Sequence, residues 1–94
     1  MNQYEMVVVL KPNLEEEERK SILDRLTEAV VTNGNVGEIA DWGNRKLAYE
    51  INYIKEGYYY VINYEADPSV VAEVERRARI IDQVIRYLTI KKEA

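Results

Sequence analysis

The sequence predicts an α+β fold in which a four-stranded antiparallel sheet carries two helices on one face. Three observations predict it: segments with strand and helix periodicity follow one another in the order βαββαβ, turn or capping residues separate them, and no linker or low-complexity segment interrupts the chain. This order is typical of the ferredoxin-like split βαβ arrangement. A length of 94 residues suits one hydrophobic core, so we predict a single domain spanning residues 1–94.

The first strand and the first helix follow from two different periodicities. Residues 4–10 alternate in the manner of a half-buried strand, which Pro12 ends. Asn13, followed three residues later by Glu16, resembles a capping box and predicts a helix over about 14–32. The residues predicted to be buried in these elements are Tyr4, Met6, Val8, Leu10, Ile22, Leu26, Ala29 and Val30.

The second half of the chain predicts a long strand, a hairpin, a helix and a last strand. Residues 36–51 form the long strand, with a bulge or kink at Gly43-Asn44, where the backbone can leave regular β geometry. Lys55–Gly57 is predicted to be the turn before a strand over 58–66. The remaining elements are a helix opened by Asp67 and Pro68, with Val71, Val74, Ala78 and Ile81 buried, and a strand over 85–90.

Side-chain parity assigns the two faces of the third strand. Placing Tyr58, Tyr60 and the residues that alternate with them outward would bury Asn63 and Glu65, which is unfavourable. Tyr60, Ile62 and Tyr64 are therefore predicted to pack under the helices. The residues left on the open face are Tyr59 and Val61, beside Val7 and Val9. We expect these four to form an exposed apolar patch that meets another protein.

Composition argues against catalysis. The chain has neither cysteine nor histidine, which removes thiolate nucleophiles, the commonest general base near neutral pH and the commonest transition-metal ligands. We therefore predict no enzyme activity, no cofactor, no metal and no small-molecule substrate. A small phosphatase of this fold would need an anion-binding arginine after the first strand, and Lys11–Leu14 supplies none. No membrane span is predicted, because the longest apolar run is Met6–Leu10, and we expect a cytoplasmic protein.

Charge is distributed unevenly along an acidic chain with a net charge of −4. Residues 1–41 carry 4 basic and 9 acidic side chains, whereas residues 42–94 carry 9 basic and 8 acidic ones. Contacts with nucleic acid are therefore expected in the second half. The group Arg76, Arg77 and Arg79 is interpreted as the solvated face of a helix, paired with nearby glutamates.

A ten-residue segment carries a family resemblance. Trp42–Ile51 is Trp-Gly-Asn-Arg-Lys-Leu-Ala-Tyr-Glu-Ile, which resembles the signature of the bacterial small-subunit ribosomal protein six family. That signature is a Trp-Gly pair followed by a basic-basic-Leu-Ala-Tyr-x-Ile run. The pairs Tyr4-Glu5 and Pro12-Asn13 are similar to the family's N-terminal half, and Val84–Arg86 is similar to the start of its last strand.

The resemblance implies a structural protein of the small ribosomal subunit with the ferredoxin-like fold. It implies binding to central-domain ribosomal RNA jointly with the small basic ribosomal protein numbered eighteen, which would supply much of the positive charge. Asn2 and Gln3 stand where family members often have a basic residue, and Glu50 stands where many have proline. A ligand-sensing or protein-interaction module of this fold without an RNA role is the alternative.

The resemblance also leads to predictions of individual contact residues. The RNA contacts expected are Arg45, Lys46, Arg86 and Lys91. The residues expected at packing surfaces with the partner protein are Tyr4, Tyr49, Tyr59 and Val61. Arg45 and Lys46 follow the predicted Gly43-Asn44 kink, where an irregular edge strand would present both side chains outward.

Overall fold

The computed structural model describes residues 1–51 and 53–92, and it has the predicted order of elements. The strands and helices are β1 (Asn2–Leu10), α1 (Glu16–Val31), β2 (Gly34–Ile51), β3 (Ile54–Ala66), α2 (Pro68–Ile80) and β4 (Val84–Lys92). The strands form one sheet in the order β2-β3-β1-β4, and each neighbouring pair is antiparallel. The ferredoxin-like α+β prediction is confirmed.

Both helices pack on the same face of the sheet, where the core lies. The largest fully buried side chains are Met6, Val8, Leu10, Leu26, Val30, Ile62 and Val74. Even-numbered residues of β1 and β3 face the helices, as the alternation of a strand requires. Tyr60, Ile62 and Tyr64 are buried there, so the predicted parity of the third strand is confirmed. We call the opposite side of the sheet the open face.

The start of α1 differs from the prediction. The helix begins at Glu16 rather than near residue 14, its N-cap is Glu15, and no side-chain capping hydrogen bond is present. Asn13 has a positive φ of 69°, a left-handed conformation that asparagine tolerates, so it belongs to the turn after β1. In place of a cap, the negative charges of Glu16, Glu17 and Glu18 in the first turn stabilise the start of the helix by interacting with the positive end of its dipole.

The hairpin between β2 and β3 also differs from the prediction. Lys55–Gly57 lies inside β3, which begins at Ile54, and the positive φ of 66° at Tyr53 marks the reversal of the chain. Gly57 is needed for another reason: a Cβ atom there would overlap the side chain of Val9. In α2, Asp67 and Pro68 start the helix as predicted. Val70 is buried in place of Val71, which was expected in the core but is only half-buried.

Candidate functional site

The open face has a covered centre and an exposed edge. Val9 and Val61, on the two central strands, are 3% and 4% exposed. Leu88 and Ile90, on the edge strand β4, are 58% and 47% exposed. Leu88 pairs with Val7, so all of these side chains project to the same side of the sheet. The exposed apolar surface of this face therefore lies mainly along β4.

The prediction of an exposed apolar patch is wrong for two of its four residues. Val7 and Tyr59 are half-buried and remain at the surface, whereas Val9 and Val61 are shielded by the neighbouring strands on both sides. Parity gave the correct face, but exposure depends on strand order, which the pattern of one strand does not contain. The alternation of Leu88 and Ile90 with Tyr87 and Thr89 in the last strand was the signal that could have revealed the missing members.

Tyr4 is not available at a partner surface. It is 7% exposed, lies on the helix-covered face and packs against Tyr64, with the two ring centroids 5.5 Å apart. Its expected place at a packing surface is corrected, because an even-numbered position in β1 points into the core. Burial is the main reason that the pKa of Tyr64 is raised to about 12.

A bulge in β2 shapes the other end of the open face, where the β2–β3 hairpin lies. The register with β3 shifts between Asp41 and Gly43, and Gly43 has a φ of +75°. The Gly43 amide donates to Oδ1 of Asp41 at 2.9 Å. After the bulge, Arg45 Nε donates to the Trp42 carbonyl at 3.1 Å, and its guanidinium lies 5.3 Å from the centre of the Trp42 ring. The predicted kink is confirmed.

A second pair of a cation and an aromatic ring joins the two edge strands at this end. The Arg86 guanidinium lies 5.4 Å from the centre of the Tyr49 ring. Arg86 pairs with Val9 in β1, and Arg45 pairs with Gly57 in β3. Arg45 and Arg86 are therefore about three strand spacings apart, or roughly 14 Å. We call Trp42, Arg45, Lys46, Tyr49 and Arg86 the hairpin-end cluster; all five are exposed.

Lys46 and Lys91 complete the predicted cations. Lys46 is exposed opposite Glu56 and lines a cavity with Tyr49, Tyr53 and Lys55. Lys91 is also exposed but pairs with Tyr4, near the opposite end of the sheet. Lys91 is five residues after Arg86 in the same strand, which places the two residues roughly 17 Å apart. Because five is an odd number, their side chains project to opposite faces of the sheet. The structure thus places Arg45, Lys46 and Arg86 at one end of the sheet and separates Lys91 from them.

The arginines of α2 have partners within the protein. Glu73 accepts hydrogen bonds from Arg76 Nε at 2.7 Å and from Arg77 Nε at 2.9 Å. The bonds from Arg76 and then Arg77 lower the pKa of Glu73 to about 2. Arg77 Nη1 also donates to the carbonyl of Arg25 in α1 at 2.9 Å. For Arg76 and Arg77 this agrees with the interpretation of a solvated, glutamate-paired helix face.

The described residues hold neither a metal-binding cluster nor a membrane-spanning helix. Among residues 1–51 and 53–92, no group of three or more acidic side chains is placed to hold a metal ion. In the same part of the chain, no helix is both long and apolar enough to cross a bilayer. The features that remain are surfaces: an apolar edge on β4 and a basic, aromatic end at the hairpin.

Comparison with known proteins bears on these surfaces. The sequence profile of the family described as Ribosomal protein S6 matches residues 3–91. The small ribosomal subunit protein bS6 of Alkaliphilus oremlandii is 45% identical over 93 residues, covering 99% of each chain. The bS6 protein of Heliobacterium modesticaldum is 38% identical over 94 residues, covering 99% of this chain and 98% of the relative.

Two solved structures have a similar backbone fold. The crystal structure of 30S ribosomal protein S6 from Thermotoga maritima superposes with a TM-score of 0.88 at 31% identity, covering 97% of this chain and 87% of that one. An Arabidopsis thaliana protein superposes with a TM-score of 0.52 at 13% identity, covering 100% of this chain and 95% of that one, which is a likeness of fold alone.

The order of the elements and the antiparallel four-stranded sheet define a protein of the ferredoxin-like fold. The chain belongs to the ribosomal protein S6 family of the small ribosomal subunit. Its relatives are named as proteins of the small ribosomal subunit and not as enzymes, in agreement with the prediction from composition.

Proposed function

We propose that this protein binds central-domain ribosomal RNA in the cytoplasmic small subunit as a heterodimer with the small basic ribosomal protein numbered eighteen. The observation that carries the proposal is the division of the open face into an apolar edge and a basic, aromatic end. Leu88 and Ile90 supply the apolar edge, and the half-buried Tyr59 lines a surface groove together with Leu88. Arg45 and Arg86 supply positive charge to the open face at the hairpin end, whereas Lys46, opposite Glu56, projects to the other face of the same strand end.

The hairpin-end cluster has the chemistry that RNA contacts need. Arginine and lysine bind phosphate oxygens, and exposed aromatic rings stack on unpaired bases. Trp42 and Tyr49 each lie next to a guanidinium, so a ring and a cation are presented together. Tyr49 was expected at the partner surface, but its contact with Arg86 favours the RNA side. Lys91 would contact RNA only if the RNA extended along β4 to the other end of the sheet.

The apolar edge fits a protein partner. Leu88 and Ile90 leave large side chains in solvent, which is unfavourable unless another apolar surface covers them. A basic partner on this edge would lie beside Arg86 and extend the positive surface of the hairpin end. The combined surface would then outweigh the acidic charge of this chain, which is concentrated in residues 1–41.

Replacing Arg45 and Lys46 together with alanine tests the RNA contacts. The variant, in complex with the partner protein, should bind ribosomal RNA more weakly, and its affinity should depend less on salt. Each lost phosphate contact should reduce the log-log salt slope by about 0.7 to 0.9. Filter binding over a series of salt concentrations measures both quantities.

Lys20→Ala is the control, because Lys20 is an exposed cation on α1, in the helix layer on the opposite side of the sheet from the open face. It should leave the slope unchanged. The free energy of unfolding should change by no more than about 0.5 kcal/mol in either variant, since both alter exposed charges. A slope that stays the same in the double variant would remove Arg45 and Lys46 from the RNA interface.

A further inference from the structure

A chain of contacts on the helix-covered face runs from the start of α1 to the bulge in β2. Arg19 Nη1 donates to the Leu14 carbonyl at 2.6 Å, and Arg19 Nε donates to the Tyr60 hydroxyl at 3.0 Å. The same guanidinium lies 4.1 Å from the centre of the Tyr58 ring. One arginine therefore ties the first turn of α1 to two neighbouring tyrosines of β3.

The second half of this chain reaches the bulge itself. The Tyr58 hydroxyl donates to Oδ2 of Asp41 at 3.0 Å, and the other oxygen of that carboxylate accepts from the Gly43 amide at 2.9 Å. The hydrogen bond to Asp41 is the main reason that the pKa of Tyr58 is raised, so the phenol keeps its donor proton. Each carboxylate oxygen of Asp41 thus accepts one hydrogen bond, one from β3 and one from its own strand.

Gly43 pairs with Tyr59 of β3, but it follows directly after a break in the regular pairing of β2. It has a φ of +75°, open space surrounds the position where a Cβ would stand, and the register of β2 shifts there. A glycine can adopt either sign of φ at little cost, so its neighbours decide which conformation it takes. The hydrogen bond from its amide to Asp41 is a contact that favours the observed one. Arg45 and Trp42 contact each other across this same bulge.

We propose that Arg19, Tyr58 and Asp41 are positioning residues that hold the segment Trp42–Arg45 in its RNA-binding geometry from the opposite face of the sheet. The proposal rests on the proposed function of Arg45 as an RNA contact. It assigns a role in RNA binding to three side chains that need not touch RNA. The same contacts would also make the geometry of the bulge sensitive to the way α1 packs on β3.

Tyr58→Phe is the most selective test, because it removes one hydroxyl and keeps the ring under Arg19. Trp42 is the only tryptophan in the chain, so its fluorescence reports directly on the bulge. We expect stronger quenching of Trp42 by acrylamide in the variant, and about 2- to 10-fold faster hydrogen exchange of the Gly43 amide. Tyr87→Phe is the matched control, since its hydroxyl contacts Arg79 and is remote from the bulge.

A double-mutant cycle then connects the bulge to RNA. Tyr58→Phe should weaken RNA binding by the complex with the partner protein about 3- to 10-fold, and this loss should vanish in an Arg45→Ala background. Affinity for the partner protein alone should not change. A merely structural role would lower RNA affinity equally in both backgrounds.

Each result has a defined meaning. Unchanged quenching and unchanged Gly43 exchange in Tyr58→Phe would overturn the proposal, and so would equal losses of RNA affinity in the two backgrounds. A second outcome is that Tyr58→Phe increases quenching and exchange while Arg45→Ala leaves RNA affinity intact. The first result would support the positioning of the segment, and the second would overturn the RNA role of Arg45. The two proposals therefore fail on different measurements.

Discussion

The central strands and the edge strands of this sheet differ in regularity. β1 and β3 pair without a shift from Asn2↔Ala66 to Leu10↔Tyr58. The ladder of β1 with β4 shifts once, between Val9 and Leu10, and the ladder of β2 with β3 shifts three times. The centre is constrained because a slip by one residue would turn every core side chain outward. The edges are less constrained: in β2, Arg45 and Lys46 lie between two shifts of the register, whereas in β4 the exposed Leu88 and Ile90 lie in the regular part of the ladder.

The two regions also differ in how apolar side chains are used. In the centre, Met6 faces the helices and is fully buried, and even Val61 on the open face is shielded by its neighbours. On the edge, Leu88 and Ile90 remain in solvent. Apolar residues in the centre therefore stabilise the fold, whereas those on β4 form the proposed partner surface. The difference predicts that stability and binding respond to different substitutions.

The largest effect is expected in the centre, from Met6→Ala. The substitution leaves a cavity among buried side chains, so the free energy of unfolding should fall by about 2 to 5 kcal/mol. Ile90→Ala on the edge is the matched control and should cost less than about 1 kcal/mol, because Ile90 is 47% exposed. Urea denaturation followed by circular dichroism measures both. Equal losses would contradict the division between centre and edge.

A smaller effect, confined to binding, is expected from Leu88→Ser on the edge. Removing a side chain that the partner covers should weaken partner binding about tenfold or more, with little change in stability. Ile80→Ser is the matched control: Ile80 is 57% exposed, close to the 58% of Leu88, but lies on α2, away from the open face. Calorimetric titration with the partner protein measures the affinities. If both variants bind equally well, the β4 edge is not the partner surface.

The contrast between centre and edge also explains what the sequence could predict. The order of elements and the core side of each strand were predictable, because alternation in β1 and β3 and the helical spacing of Leu26 and Val30 repeat over many residues. The bulge at Gly43 was predictable because a single glycine in a strand is a local signal. Such signals lie within one element, so no knowledge of its neighbours is needed.

Features that depend on neighbours were missed. Val61 is covered because strands lie on both sides of it, and Tyr4 is buried because the start of β1 is still under the helices. Asn13 was expected to cap α1 but lies in the turn, since its left-handed backbone ends β1 instead. The contact of Arg86 with Tyr49 joins strands that are adjacent in neither sequence nor sheet order. No spacing in the sequence could reveal it.

The smallest effect is expected away from both regions, at Glu73 on α2. Arg76 and then Arg77 lower the pKa of Glu73 from its ordinary value of 4.5 to about 2. A carboxylate with a lowered pKa contributes stability above pH 4.5 and loses that contribution as the pH falls toward 2. Glu73→Gln should therefore melt slightly below the wild type at pH 6, and the two melting temperatures should converge near pH 2.

The exposure of this group limits the size of the effect. The side chains of Glu73 and Arg76 are 37% and 56% exposed, so water and salt screen their attraction. Raising the ionic strength at pH 6 should bring the two melting temperatures together, as acid does. Glu65→Gln is a suitable control, since Glu65 lies on β3 and among the described residues makes no ion pair. A large difference that persists in high salt would mean that Glu73, through Arg77 and the Arg25 carbonyl, holds α2 against α1 as firmly as the core does.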